Sequence, residues 1–78
     1  MHDQNPQGAV RVRAAILETL QMLTRFPRTG RMQTVEGIRK IVTRRYAYMI
    51  YYTVDDAAQE VVIVTIQHPS RAREYRDL

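Results

Sequence analysis

Apolar residues recur along this chain with two different periods, and the change falls near Gly37. Between Ala9 and Leu23 the spacing is three and four, through Ala9, Val12, Ile16, Leu20 and Leu23, with Leu17 flanking them. That is the stripe of an amphipathic helix of about five turns, with Arg11, Arg13, Glu18 and Gln21 mostly on its other side. Asn5-Pro6 reads as the start, Asn5 as N-cap and Pro6 in the first helical position. Pro27 disfavours a helical residue before it and predicts the end near Arg25-Phe26.

Beyond Gly37 come three short runs rich in Ile, Val, Tyr and Thr: residues 38–43, 48–54 and 60–67. Links of hairpin length, residues 44–47 and 55–59, join them into an antiparallel meander. Residues 26–31 read as a loop by their Pro and Gly, and residues 32–36 continue it to the first strand. Alternation places Tyr48, Ile50, Tyr52 and Val54 on one side of the second strand, with Met49, Tyr51 and Thr53 on the other. In the third strand it sets Val62, Val64 and Ile66 against Val61, Ile63 and Thr65. Both faces are apolar, so the strands are covered on two sides or meet a partner on the second. The expected fold class is α+β: one N-terminal helix packed on a three-stranded antiparallel meander. One domain spans residues 1–78, with a flexible start at 1–5 and a basic tail at 69–78.

Seventy-eight residues allow one small core. The chain has no cysteine, which removes disulfides and thiol chemistry and fits a reducing compartment. No apolar run approaches the ~20 residues needed to span a bilayer, and the first residues lack the pattern of a signal peptide. A cytoplasmic protein with no membrane partner is expected.

Charge is unevenly spread. Nine basic residues stand against Glu18 and Glu36 between Arg11 and Arg45, in a chain of net charge +4, and eleven of the twelve cations are arginine. Arginine pairs bidentately with carboxylate and phosphate, which suits an acidic protein segment or a nucleic acid. Arg25, Arg28 and Arg31 read either as an anion-binding rim or as a solvated connector. Four tyrosines within residues 46–52 read as amphipathic edge packing, or as stacking on a base or a partner peptide. Pro69 ends the ladder beside His68, Arg71, Arg73, Tyr75 and Arg76. A histidine among arginines has the groups for proton transfer and for stabilising charge on phosphorus, and equally reads as a hydrogen-bonded surface residue. No metal spacing, glycine-rich phosphate loop, paired-carboxylate site or nucleophile elbow is present, so no cofactor is expected.

The ordered set of features has a family likeness. A helix ends in Phe26-Pro27-Arg28-Thr29-Gly30-Arg31, and Gly37-Ile38-Arg39 enters the first strand. Then follow Tyr46-Ala47-Tyr48-Met49-Ile50-Tyr51-Tyr52-Thr53-Val54 and Val61-Val62-Ile63-Val64-Thr65-Ile66, running into His68-Pro69-Ser70-Arg71. Together they resemble the ParE branch of the RelE/ParE superfamily of toxin–antitoxin toxins, over nearly the whole chain. The resemblance implies an α+β toxin of a type II system and a cognate antitoxin whose C-terminal segment wraps around it. ParE-like members poison DNA gyrase by protein binding. RelE-like members cut mRNA in the ribosomal A site.

For the gyrase reading the resemblance points to Arg39, Arg71, Arg73, Tyr75 and Arg76 as target contacts. Ile16, Leu20, Leu23, Tyr48, Ile50 and Tyr52 would form the antitoxin groove. The ribonuclease alternative would use Arg39, Lys40, His68, Arg71 and Tyr75. That branch carries an arginine in its middle strand where this chain has Met49, which favours gyrase over the ribosome and mRNA. Members of the family usually begin with a strand and a helix ahead of the elements read here. Without them an apolar face and a strand edge would lie open, inviting a homodimer, an antitoxin hetero-oligomer or insolubility. A remnant that only binds antitoxin is the third reading.

Overall fold

A computed structural model describes residues 6–70, with side chains described from Gly8 onward. The predicted N-cap, Asn5, and the tail residues Arg71, Arg73, Tyr75 and Arg76 lie outside the described residues. Helix α1 spans Pro6–Arg25. Strands β1 (Arg31–Met32), β2 (Arg39–Val42), β3 (Met49–Asp55) and β4 (Glu60–Gln67) follow and form one antiparallel sheet in the order β1-β2-β3-β4. The architecture is the α+β arrangement expected, with one more strand than the meander predicted.

That extra strand comes from the connector. Phe26 leaves the helical region ahead of Pro27, at φ −133° and ψ 70°, and Pro27–Thr29 forms a single 3-10 turn. The chain then turns outward, and Arg31 and Met32 pair with Lys40 and Arg39. The pairing continues as Gln33 N–H donates to Ile38 O at 2.9 Å. Gly37, at φ +85°, closes this hairpin in a conformation that side chains disfavour. A two-residue strand carries no periodicity, which is why pattern reading gave a loop here.

The helix buries Ala15, Thr19 and Leu23, one residue per turn. Val12, Ile16 and Leu20 lie half-buried beside this line, and Ala9 is exposed. The buried stripe is therefore rotated from the one expected. Thr19 enters it because its hydroxyl donates to Ala15 O at 3.1 Å, which satisfies the polar atom inside the helix.

The central strand β3 supplies most of the core. Met49, Ile50, Tyr51 and Tyr52 are all buried, so both faces of the strand are covered. The ladder to β4 contains one irregularity. Tyr51 opposes Thr65 while Tyr52 opposes Ile63, leaving Val64 as an extra residue in β4. This bulge overturns the simple alternation expected in β4. Ile63 and Ile66 now lie on the same face, shared with their partners Tyr52 and Ile50.

Two turns complete the sheet without glycine. In the β2–β3 turn, Thr43 N–H donates to Tyr48 O at 2.9 Å and the Thr43 hydroxyl accepts from Tyr48 N–H at 3.0 Å. Tyr46 and Ala47 at its tip have φ of 69° and 54°, two successive left-handed residues. In the β3–β4 turn Asp55 accepts from Ala58 N–H at 3.1 Å, and Gln59 takes φ 55°.

Candidate functional site

An open, mostly apolar groove of about 630 Å³ lies between the N-terminal half of α1 and the β2–β3 turn. The helix contributes Val12, Ile16 and Leu17, and the turn contributes Tyr46 and Tyr48. Gly8 and Ala9 leave room at its upper end. Leu17 and Tyr46 are 49% and 43% exposed, unusual for large apolar residues lining one depression. The paired left-handed residues carry Tyr46 to the rim.

The charged residues nearby are three arginines and one glutamate. Arg13 lines the groove, and Arg44 and Arg45 line a neighbouring cleft with Glu18. Among the described residues the one ion pair is elsewhere, between Arg28 and Asp56. There the Arg28 Nη2 donates to both carboxylate oxygens, at 2.8 and 2.7 Å. That hydrogen bond and the charge of Asp56 raise the Arg28 pKa. Arg28 is thus matched by an internal carboxylate, whereas Arg13, Arg44 and Arg45 have no ion pair among the described residues.

Arg39 is tied into the fold. Its Nη1 donates to Gly30 O at 2.8 Å and Arg28 O at 3.2 Å, holding the 3-10 turn against β2. Lys40, the next residue, opposes Tyr51, whereas Arg39 opposes Tyr52, so the two cations occupy opposite faces of the sheet. His68 follows β4 beyond the level where Gln67 opposes Met49, away from the level of Arg39. Its ring meets Tyr48 edge-on at 5.2 Å. Ser70 N–H donates to His68 Nδ1 at 3.0 Å, and Ser70 Oγ lies 2.8 Å from the same atom. A backbone N–H can only donate, so Nδ1 is the acceptor and the neutral ring carries its proton on Nε2.

A family model described as the ParE toxin of the type II toxin–antitoxin system, parDE, matches residues 1–73. The chain belongs to the ParE toxin family. Searches of the curated proteins and of the solved structures found no match. The type II toxin assignment thus rests on the family model, with a fold of the expected class.

For a ParE-family chain, the structure divides the expected antitoxin residues into two groups. Ile16, Leu20 and Tyr48 are half-buried, and Ile16 and Tyr48 line the groove. Leu23, Ile50 and Tyr52 have no exposed surface and belong to the core. Sequence reading missed Val12, Leu17, Arg13 and Tyr46 as groove residues. Leu17 was visible as a flank of the helical stripe and residues 44–47 as a hairpin link, but nothing local showed that this turn brings Tyr46 to the helix. The residues of the ribonuclease set that are described, Arg39, Lys40 and His68, do not converge on one point. Among the described residues no helix is long and apolar enough to cross a membrane, and no group of three or more His, Cys, Asp or Glu is arranged to hold a metal ion.

Proposed function

We propose that this chain is a cytoplasmic toxin that acts by binding DNA gyrase, and that a cognate antitoxin neutralises it by seating a segment in the groove between α1 and the β2–β3 turn. The observation that carries the antitoxin reading is the groove itself: aliphatic and tyrosine side chains open to solvent, bordered by Arg13, Arg44 and Arg45, which make no ion pair among the described residues. An amphipathic segment with aliphatic anchors and acidic flanks is its complement. Action through protein contact is supported by the chemistry around His68. With Nδ1 accepting and Nε2 protonated, the neutral ring has no free lone pair to take a proton from a ribose hydroxyl. The separation of Arg39, Lys40 and His68 also argues against a shared scissile phosphate. Arg39, Arg71, Arg73, Tyr75 and Arg76 remain the proposed gyrase contacts.

Inducible expression in a bacterial host tests this, with growth and plasmid supercoiling followed together. Growth arrest with relaxed or cleaved plasmid is expected, and Arg71→Ala with Arg73→Ala should abolish arrest while antitoxin binding persists. Arrest with normal plasmid topology and cut transcripts would replace gyrase by mRNA as the target.

A further inference from the structure

The strand register sets Arg31 against Lys40, Lys40 against Tyr51 and Tyr51 against Thr65, one row across the sheet. Opposed residues of a ladder share a face. Tyr52, next in the chain, turns to the connector, where its hydroxyl bonds to Gly30. Tyr48, which alternates onto the face of Tyr52, lines the groove with α1. The row of Arg31 and Lys40 therefore occupies the face turned away from both. Side chains of opposed residues begin about 5 Å apart, and like charges so placed destabilise the ladder. Neither cation has an ion pair among the described residues, whereas Arg28 has Asp56 and Arg39 is bound to two carbonyls. The carboxylates that share this face by register, Asp55 and Glu60, oppose each other beyond Tyr51, ~13 Å along β3. Two cations held side by side against their repulsion are a local conflict of the kind that functional sites keep.

We propose that Arg31 and Lys40 together receive an acidic segment of a protein partner, with one carboxylate of the segment on each cation. Alternate residues of an extended segment are about 7 Å apart, within reach of two long side chains that start about 5 Å apart. Arg31 is exposed and Lys40 half-buried, and a guanidinium takes a carboxylate bidentately. The neighbours on this face favour a protein over a nucleic acid. Val42, two residues beyond Lys40, is aliphatic and 47% exposed, whereas Tyr51 is 2% exposed and offers no ring on which a base could stack. Two cations also neutralise only about two phosphates, a small electrostatic gain for a nucleic acid. The row lies across the sheet from the groove, so a segment seated in the groove leaves it open. The inference depends on neither the antitoxin nor the gyrase reading.

Heteronuclear NMR of the full chain, titrated with a blocked hexaglutamate peptide at low salt, tests it. The backbone amides of residues 31 and 40 are expected to shift together and to give one dissociation constant. Arg31→Gln with Lys40→Gln should weaken that local constant by roughly 10-fold. Arg44→Gln with Arg45→Gln, the same change of charge at the β2–β3 turn, should leave it within about 2-fold. Lys40→Glu sets opposite charges side by side, so it should raise the urea midpoint of unfolding while peptide binding is lost. A row kept for the fold alone would give the reverse. The proposal is overturned if hexaglutamate leaves those amides unmoved, if the turn variant weakens the local constant as much as the row variant, or if Lys40→Glu unfolds at lower urea. It is overturned equally if hexathymidylate moves the same amides at lower concentration than hexaglutamate, which would give the row to a nucleic acid.

Discussion

The hydroxyl of Tyr52 lies directly beneath the backbone of Gly30. It accepts from Gly30 N–H at 2.8 Å and donates to Pro27 O at 2.7 Å, so one buried phenol closes two backbone groups of the connector. A Cβ on Gly30 would collide with the Tyr52 hydroxyl and lie 2.8 Å from its ring. Glycine is required here by space.

Removing the hydroxyl therefore strands a donor and an acceptor. Tyr52→Phe should lower stability by about 1–3 kcal/mol, the range for buried polar groups left unpaired. Gly30→Ala should cost a similar ~1–3 kcal/mol by overpacking. Urea unfolding reads both as a lower midpoint with unchanged slope. A midpoint within error of wild type for Tyr52→Phe would contradict the role given to the phenol.

Arg39→Ala removes two hydrogen bonds from a charged donor to the carbonyls of Arg28 and Gly30. A loss of about 1–2 kcal/mol is expected for this half-buried group. The consequence reaches function, because any loss of toxicity in that variant must be compared with its loss of fold. Toxicity restored by lowering the growth temperature would assign Arg39 a positioning role; toxicity absent in a fully folded variant would assign it to the target contact.

At the β2–β3 tip, Ala47→Gly should stabilise by about 0.5–1 kcal/mol, since glycine adopts the left-handed region without a Cβ penalty. Gln59→Gly in the next turn should act in the same direction. Thermal melts measure both, and destabilisation by Ala47→Gly would mean that the side chain packs more than the backbone strains.

Leu17 and Leu23 should separate binding from stability. Leu17→Glu, at an exposed groove position, should weaken antitoxin binding by at least ~10-fold, as for a central interface anchor, while the melt stays near wild type. Leu23→Ala, in the core, should cost about 2–5 kcal/mol. Titration calorimetry against the antitoxin's C-terminal segment distinguishes them. Arg13→Glu should weaken the same binding and reduce its dependence on salt.

The Arg28–Asp56 pair should impose no pH dependence across the neutral range. Its raised arginine pKa adds stability that is complete below the unfolded value and is lost only as pH rises through the folded one, far above neutrality. Both partners are exposed, so Asp56→Asn should change stability little.

Much of this was legible in the chain itself. The period of three and four gave α1, Pro27 gave its end to within a residue, and the runs of β-branched and aromatic residues gave β2, β3 and β4 within a residue or so. What stayed hidden depended on contacts across the fold. Thr19 reads as polar, yet it sits in the buried stripe by bonding to its own helix. Val64 continues an alternation that the ladder breaks, and no local signal marks the place. Tyr46 and Ala47 lack the glycine that announces a left-handed turn, so the rim of the groove could not be located. Arg39 looked like a ligand-binding cation because a guanidinium bound to carbonyls and one awaiting a carboxylate are the same in a sequence.

The strict sequential order of the sheet has a kinetic consequence. Each strand pairs only with its neighbours in the chain, so the sheet can assemble hairpin by hairpin with short loop closures. Helix α1 precedes the strands in the chain, yet β4, which it contacts, emerges after the other three. On the ribosome, its apolar stripe therefore waits for β4, and the groove is incomplete until the β2–β3 turn has left the exit tunnel. An antitoxin segment that needs the groove can engage only a nearly finished chain, and ribosome-stalled chains ending before residue 48 should fail to capture it.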